Sequence, residues 1–413
     1  MKFKKLEISN YYQFGNISFD FTYPKGHPKA GSPLEKVCLI GQSATGKTTL
    51  LRLLKELSKV AKDKIEVLNS KANPEIKVAV DVSDSEYSFE IQNKEIKHTA
   101  RNIGNIGKNF KSIETSYIYI PADIRHDINF EERIVEELSK PQEAINKEYI
   151  DLSGEDIRSI WTQIMYRLVS HQEKEMEYRV ALTFEKTADI FEKIDQWKQT
   201  NKSPLEKIAD AFLRDLLLKF DLEIDVDIKR IESLNFIQLK RKNSSEVIPF
   251  DKLSTGTKQI ILSLVPLFEL NTNQSVILVD EPERSLFPDV QQSIIKNYTR
   301  LAPNAQFFFA THSPLIAAQF EPFERFILEF DENGKTNIRQ GSAPEGDDPN
   351  DFLTKDFGLQ SVLTEAGLRK WDEFIDLRQK IKFEKNEDTK VNLINDYLEI
   401  GTSYNFILNE KNY

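Results

Sequence analysis

The eight residues Gly41-Gln42-Ser43-Ala44-Thr45-Gly46-Lys47-Thr48 constrain this chain more than any other stretch. They satisfy the pattern G-x-x-x-x-G-K-[ST] at every fixed position. The apolar run Val37-Cys38-Leu39-Ile40 precedes them and Thr49-Leu50-Leu51-Arg52-Leu53-Leu54 follows, which predicts a buried strand, a tight loop and a helix. Glycines let the loop curl so that successive N–H groups face one point, and the helix N-terminus adds partial positive charge there. Such a cradle suits a polyphosphate. Lys47 would reach the β- and γ-phosphates, and the Thr48 hydroxyl would take one Mg²⁺ position. The bland alternative is a chance glycine turn, which strand and helix on the correct sides argue against.

A cradle alone does no chemistry; a metal ligand and a base are also needed. Ser275-Val276-Ile277-Leu278-Val279 is a β-branched run ending in Asp280-Glu281-Pro282. A buried strand that delivers two carboxylates at its C-terminal end suits a magnesium–nucleotide site. Asp280 is then the candidate Mg²⁺ ligand, and Glu281 the general base for an attacking water. Upstream, Leu253-Ser254-Thr255-Gly256-Thr257-Lys258-Gln259 opens an apolar helix. Ser254 and Gly256 there offer a hydroxyl and bare N–H groups to an anion, although an ordinary serine cap reads the same way. Downstream, Gln306-Phe307-Phe308-Phe309-Ala310-Thr311-His312-Ser313-Pro314 is an aromatic strand ending in a polar turn. His312 is a candidate γ-phosphate sensor by its place after the two acids. A lone histidine at a strand end is more often a plain hydrogen-bonding residue.

The order of these elements resembles the ABC-type ATPase head shared by chromosome-maintenance (SMC), RecF and long-coiled-coil repair proteins. More narrowly it is similar to the ATPase module of OLD-type (overcoming lysogenisation defect) and Septu- or PARIS-like anti-phage AAA family systems. The matching residues are Gly41 to Thr48, Leu253 to Gln259 (family pattern L-S-G-G), Val276 to Glu281, Glu283-Arg284-Ser285-Leu286-Phe287-Pro288 and Ala310 to Pro314. Leu6-Glu7-Ile8-Ser9-Asn10-Tyr11 resembles the family's opening strand. The likeness covers about 1–125 and 222–340.

The resemblance implies an α/β fold of the P-loop NTPase, ABC-type head class. Its mixed sheet would have an antiparallel N-terminal part and a parallel core, with a helical insertion and a helical C-terminal tail. It also implies an ATPase using ATP and Mg²⁺. Glu281, His312 and Lys47 would be catalytic, Gly41 to Thr49 with Ser254 and Gly256 would bind nucleotide, and Thr48 and Asp280 would hold the metal. In the family two heads sandwich two nucleotides, so Ser254 and Gly256 would act across a homodimer or higher oligomer. The chain departs from the pattern twice. Thr255 replaces the first signature glycine. No glutamine follows the strand ending at Ile120, where Pro121-Ala122-Asp123-Ile124-Arg125 stands, with Asp123 as a weak substitute.

Four regions are expected: lobe I over 1–125, a helical insertion over 126–221, lobe II over 222–345 and a helical tail over 346–413. Phe3, Leu6 and Ile8, then Ile17, Phe19 and Phe21, read as two edge-like strands; Lys77 to Val82, Tyr87 to Ile91 and Ser116 to Ile120 read as further strands. Tyr23 to Pro33 reads as an exposed loop. In the insertion, Ile157, Ile160, Trp161, Ile164, Met165 and Leu168 recur at helical spacing, as do Ile190, Ile194 and Trp197. Ser203-Pro204-Leu205-Glu206 is a capping box opening a third helix. Without sustained heptads the insertion should be compact. Strands are expected again at Leu222 to Ile228, Phe236 to Lys240 and Val247 to Phe250. In the tail, Leu363, Leu368, Trp371, Ile375 and Leu377 lie near one side of a helix.

Function narrows by elimination. A transporter subunit carries only a small helical domain between the phosphate loop and Ser254, and the interval here is far longer. The formal net charge of −10 argues against a surface broadly coated for nucleic acid, although a RecF-like role with bound DNA stays open. Asp351 to Tyr413 is too short for the Toprim nuclease that OLD proteins carry, so no nuclease activity is expected in this chain. A separate effector such as a nuclease is the expected partner. Acidic Glu345, Asp347, Asp348 and Asp351 read as a solvated connector rather than a metal site. No apolar stretch approaches the ~20 residues needed to cross a bilayer, and the single Cys38 reads as a buried residue, so the cytoplasm is expected.

Overall fold

The computed structural model describes residues 1–60, 74–82, 85–92, 95–100, 117–124, 149–184, 189–225, 239–244 and 246–406. Two hydrophobic strands start the chain, β1 (Lys2–Tyr11) and β2 (Phe14–Asp20), and alternate burial gives each one core face. Next come β3 (Lys36–Gly41), whose end is the phosphate loop, and α1 (Lys47–Val60). The strands β4 (Glu75–Val82), β5 (Ser85–Gln92), β6 (Glu95–Ala100), β7 (Tyr117–Ile120) and β8 (Tyr149–Asp151) follow. Three helical stretches come next: α2 (Glu155–Phe184), α3 (Ile190–Thr200), and α4 (Pro204–Ile208) running through a π turn into α5 (Arg214–Leu218). Short strands β9 (Leu222–Ile224), β10 (Leu239–Arg241) and β11 (Val247–Ile248) lead to α6 (Thr255–Glu269) and β12 (Val276–Asp280). The unit closes with α7 (Pro288–Leu301), β13 (Gln306–Thr311), α8 (Pro314–Ala317), β14 (Arg325–Phe330) and β15 (Thr336–Gln340).

One large sheet runs in the order β6-β5-β4-β1-β2-β15-β14-β3-β13-β12-β7-β8. Its first five strands are mutually antiparallel, whereas β14, β3, β13, β12, β7 and β8 are parallel. The mixed sheet is therefore the expected one. The central strands β3, β12 and β13 are almost wholly buried, as parallel strands covered on both faces must be. Apolar α1 residues Leu50, Leu53, Leu54 and Leu57 join Val37, Leu39, Leu278 and Phe308 in one core beneath the phosphate loop.

Several expectations need correction. The first two strands are interior, not edge-like, because the β4–β5–β6 meander adds beyond β1, and β15 pairs with β2. The strand β8 lies inside the stretch expected to be helical. The strands expected after Leu222, for which the sequence assigns no sheet, form their own three-stranded sheet, β11-β10-β9. Phe250 belongs to a 3₁₀ turn, and the parts of those expected strands within 226–238 lie outside the described residues. Within the insertion, α2 runs 30 residues, or about 45 Å at 1.5 Å per residue. Its first half packs through Ile157, Trp161, Ile164 and Leu168, whereas Met176, Val180 and Phe184 further along are exposed. The capping box is formed at both ends: Glu206 N–H donates to Ser203 Oγ at 3.1 Å and Ser203 N–H to Glu206 Oε2 at 2.6 Å.

The described chain divides into two compact units, Met1–Gly346 and Asp347–Tyr413. Considered by itself, the second holds the helices α9 (Glu365–Phe383) and α10 (Glu387–Ser403). Phe374, Leu377 and Phe406 form its centre, with Phe374 stacked on Tyr397 at 4.3 Å and Trp371 edge-on to Phe406 at 5.0 Å. Leu368, expected near the apolar side, is exposed.

Candidate functional site

The parallel strands β3, β12 and β13 end together, and the residues singled out in the sequence sit at those ends. β3 runs straight into Gly41, which is packed so tightly that a Cβ would collide with the carbonyl oxygen of Leu328 in β14. Gly46 has φ of 104° and is backed by Gln13 and the ring of Phe14, so it needs glycine for both conformation and space. Ala44 also lies in the left-handed region, at φ 67°. Gln42, Ser43 and Ala44 form the exposed crest of the loop, while Thr45, Gly46 and Lys47 are buried. Thr45 Oγ1 donates to the Gln42 carbonyl at 2.8 Å, and the Thr45 carbonyl accepts from Thr336 Oγ1 of β15 at 2.9 Å. The loop is thus braced from within and from behind.

Lys47 folds over its own loop, donating to the carbonyls of Gly41 at 2.8 Å and Gln42 at 3.0 Å. Burial pushes its ammonium down to about 8, against the pull of Asp280 and Glu281. Thr48 Oγ1 donates to Asp280 Oδ2 at 2.9 Å, which ties the phosphate loop to the end of β12. Burial raises the Asp280 carboxyl above the usual range, with hydrogen bonds from Thr48 and Tyr119 opposing it. Thr49, the remaining member of the expected loop set, sits half-buried in the first turn of α1.

Beyond Asp280 the strand turns sharply. Glu281 has φ 46°, and its N–H donates to the Ala310 carbonyl of β13 at 2.8 Å. The ladder thus fixes a backbone that a side-chain-bearing residue rarely adopts. Its side chain is 37% exposed and stands 3.9 Å from His312 Nε2, whose residue is 38% exposed. These two lie at the open rim, while Lys47 and Asp280 lie inside. Burial, reinforced by the nearby Lys47 ammonium, lowers the His312 ring below its ordinary value, favouring a neutral imidazole. The His312 N–H donates to Glu283 Oε1 at 2.7 Å, so Glu283 pins the turn that presents the histidine.

The other residues are placed differently. Ser254 caps α6, its hydroxyl accepting from Thr257 N–H at 3.2 Å and lying 2.8 Å from Thr257 Oγ1. It is exposed and makes no hydrogen bond to the phosphate loop among the described residues. Gly256 is buried, and a Cβ there would strike the carbonyl oxygen of Ser285, so α6 rests on the loop that follows Glu281. The structure therefore brings Gly41 to Thr49, Asp280, Glu281 and His312 together within one chain and leaves Ser254 facing outward. Asp123 points to Arg284 at 3.7 Å. Its segment is held instead by Gln259 of α6, which donates to the Pro121 carbonyl at 3.3 Å and accepts from Ile124 N–H at 3.4 Å.

Sequence reasoning missed Tyr119, Glu283, Gln259 and Thr336. Glu283 stood inside a quoted motif without a role, and the alternation of Tyr117 and Tyr119 was the only local sign that a phenol faces the acids.

Among the described residues no group of three or more His, Cys, Asp or Glu side chains could hold a metal ion. The Thr48 hydroxyl and the Asp280 carboxylate, joined at 2.9 Å, fit magnesium, a hard cation that keeps waters and takes its remaining ligands from phosphate. Such an ion would arrive with a nucleotide.

The sequence model of the AAA ATPase domain family matches residues 1–317, and the chain belongs to that family. The Retron Vc95 probable ATPase of Vibrio cholerae serotype O1 biovar El Tor is 20% identical over 86% of this chain and 78% of its own length. Among solved structures, the SMC head domain from Thermotoga maritima is 13% identical, covering 83% of this chain and 100% of its own, with a TM-score of 0.44. The Smc head domain with an extended coiled coil bound to the C-terminal domain of ScpA derived from Pyrococcus furiosus is 10% identical, covering 82% and 96%, with a TM-score of 0.39. Among the described residues no helix is long and apolar enough to cross a membrane.

Proposed function

We propose that this AAA ATPase domain protein binds Mg-ATP in the cradle Gly41 to Thr49 and hydrolyses it as a head-to-head dimer of ABC type. The observation that carries the reading is the Thr48–Asp280 hydrogen bond of 2.9 Å, which unites loop and acid at the mouth of the parallel strands. Thr48 and Asp280 would hold Mg²⁺. Held there, it would supply neutralisation of the charge developing on the transferred phosphoryl group. Lys47 would leave the carbonyls of Gly41 and Gln42 for the β- and γ-phosphates. Glu281, at the rim, would take the proton of the attacking water, and neutral His312 would orient that water and contact the γ-phosphate. Ser254 and the α6 N-terminus, exposed and turned outward, would complete the site of a second copy. A triphosphate then bridges two subunits, and its hydrolysis dissolves the bridge.

The cellular role we propose is a sensor or scaffold ATPase of an anti-phage defence system, acting with a separate effector such as a nuclease. The likeness to OLD- and Septu-type modules and to a retron probable ATPase supports it. The test of the chemical reading is Glu281→Gln. It should bind ATP as tightly as wild type, lose hydrolysis, and run as a dimer with ATP and Mg²⁺ in light scattering. Hydrolysis at the wild-type rate would remove Glu281 from this role, and a mutant that stays monomeric in ATP would remove the sandwich.

A further inference from the structure

One row of side chains crosses from the acids to the root of the helical insertion. Leu278, Tyr119 and Asp151 are register partners in the adjacent strands β12, β7 and β8. Side chains alternate along a strand, so Tyr119 and Asp151 share the sheet face of Asp280, two residues beyond Leu278. Helix α1 lies on that face. Its Thr48 bonds Asp280, and Lys55, two turns further on, bonds Asp151 Oδ2 at 2.9 Å.

Tyr119 stands between these two anchors. Its hydroxyl donates to Asp280 Oδ2 at 3.4 Å, the same oxygen that Thr48 holds at 2.9 Å. Among the described residues Oδ1 of Asp280 accepts no hydrogen bond, so one carboxylate oxygen is tied twice and the other is left for a cation. A bond of 3.4 Å is long for a phenol, as such contacts often are before a site is loaded. The phenol is buried and has no other hydrogen-bond partner among the described residues. Its ring is also fixed. Lys55 Nζ lies 5.5 Å from the Tyr119 ring centroid and 4.6 Å from that of Tyr149. Tyr149 in turn donates to Asp151 Oδ2 at 3.3 Å, and Asp151 N–H donates to Asp156 Oδ2 in the first turn of α2 at 2.8 Å.

We propose that Tyr119 is a positioning residue for magnesium: together with Thr48 it fixes Oδ2 of Asp280, and the Lys55–Asp151 strut keeps its phenol aimed. The proposal rests on the nucleotide reading above and deepens it. Metal-ligating carboxylates depend on outer partners of this kind, whose loss costs about 10–100-fold in metal affinity or activity.

The experiment measures uptake of Mn²⁺, read by loss of the free-ion resonance, in the presence of a non-hydrolysable ATP analogue. It compares wild type with Tyr119→Phe, which removes the hydroxyl and keeps the ring over Lys55. The expected result is Mn²⁺ affinity weaker by about tenfold, with analogue affinity in EDTA within about twofold of wild type. Hydrolysis should also recover as Mg²⁺ is raised. A merely structural tyrosine would lower the active fraction without moving the metal midpoint. Mn²⁺ affinity within twofold of wild type in folded Tyr119→Phe overturns the proposal. Should that variant not fold, Lys55→Met takes its place: a shift of about two- to threefold is expected, and no shift overturns the proposal. A wild-type protein that binds no analogue, or takes up no Mn²⁺ with it, fails at the earlier step and sinks the nucleotide reading instead.

Discussion

The position of Lys47 predicts how nucleotide affinity responds to pH. In the unliganded protein burial holds its ammonium down at about 8, below the ordinary 10.5 of a lysine. A bound triphosphate surrounds the same group with negative charge and restores it to its ordinary range or above. The sign follows from the two values. Below about pH 8 Lys47 is charged in both states and affinity is flat. Above it the free protein has lost a proton that the complex must regain, so affinity falls about tenfold per pH unit. Between pH 7 and about pH 9.5 the loss spans about 1.5 units, or roughly thirtyfold in the dissociation constant. The assay is anisotropy of a fluorescent ATP analogue across that range at fixed ionic strength. Calorimetry in buffers of different ionisation enthalpy should show about 0.9 proton taken up per nucleotide at pH 9. Lys47→Ala supplies the control: weak binding at every pH and no slope. An affinity constant to within twofold from pH 7 to 9.5, or a slope that survives in Lys47→Ala, refutes the reasoning.

Two further outcomes concern the scaffold. Gly256→Ala drives a methyl into the carbonyl oxygen of Ser285, a backbone atom that cannot swing aside, so denaturant unfolding should show a loss of about 1–3 kcal/mol; a change under about 0.5 kcal/mol would mean that α6 and the Ser285 turn are not packed as described. Ser203→Ala removes one half of the capping box on α4 and should cost about 1 kcal/mol in the same assay, with Ser203→Thr close to wild type; equal stability of the alanine variant would show that the helix start is held by something else.

What the sequence made legible was whatever is local in the chain. The loop at Gly41 to Thr48, the acids after Val279, the turn at His312 and the capping box at Ser203 each announce themselves within ten residues, because their chemistry needs fixed spacing. Sheet order is not local. Nothing near Phe3 or Ile17 says that a meander will cover β1 or that β15 will return to β2, so strands that looked like edges became interior. Length mattered as well. Tyr149-Ile150-Asp151 is too short to show a period, yet as β8 it completes the row from Asp280 to the insertion. The strands after Leu222 were recognisable one by one, but their partnership in a separate sheet depended on pairing that no window could reveal. Glu283 went unread for a different reason. Its use depends on the turn set by Glu281 at φ 46° and Ser285 at φ 61°, and a left-handed glutamate is not something composition predicts.

The bracing of the phosphate loop by β14 and β15 bears on how the protein is made. Gly41 rests on Leu328 and Thr45 on Thr336, so residues near the start of the chain lean on residues almost three hundred positions later. During synthesis β3 emerges early, but it must wait for both flanking strands, β13 and β14, before its tip has any backing. At about 5–20 residues per second that delay is some tens of seconds. A nascent chain halted shortly after His312 would carry every motif of the site and still hold its loop unsupported, exposed to chaperones and proteases. Competence for nucleotide would arrive as one late event, when the β14–β15 hairpin docks.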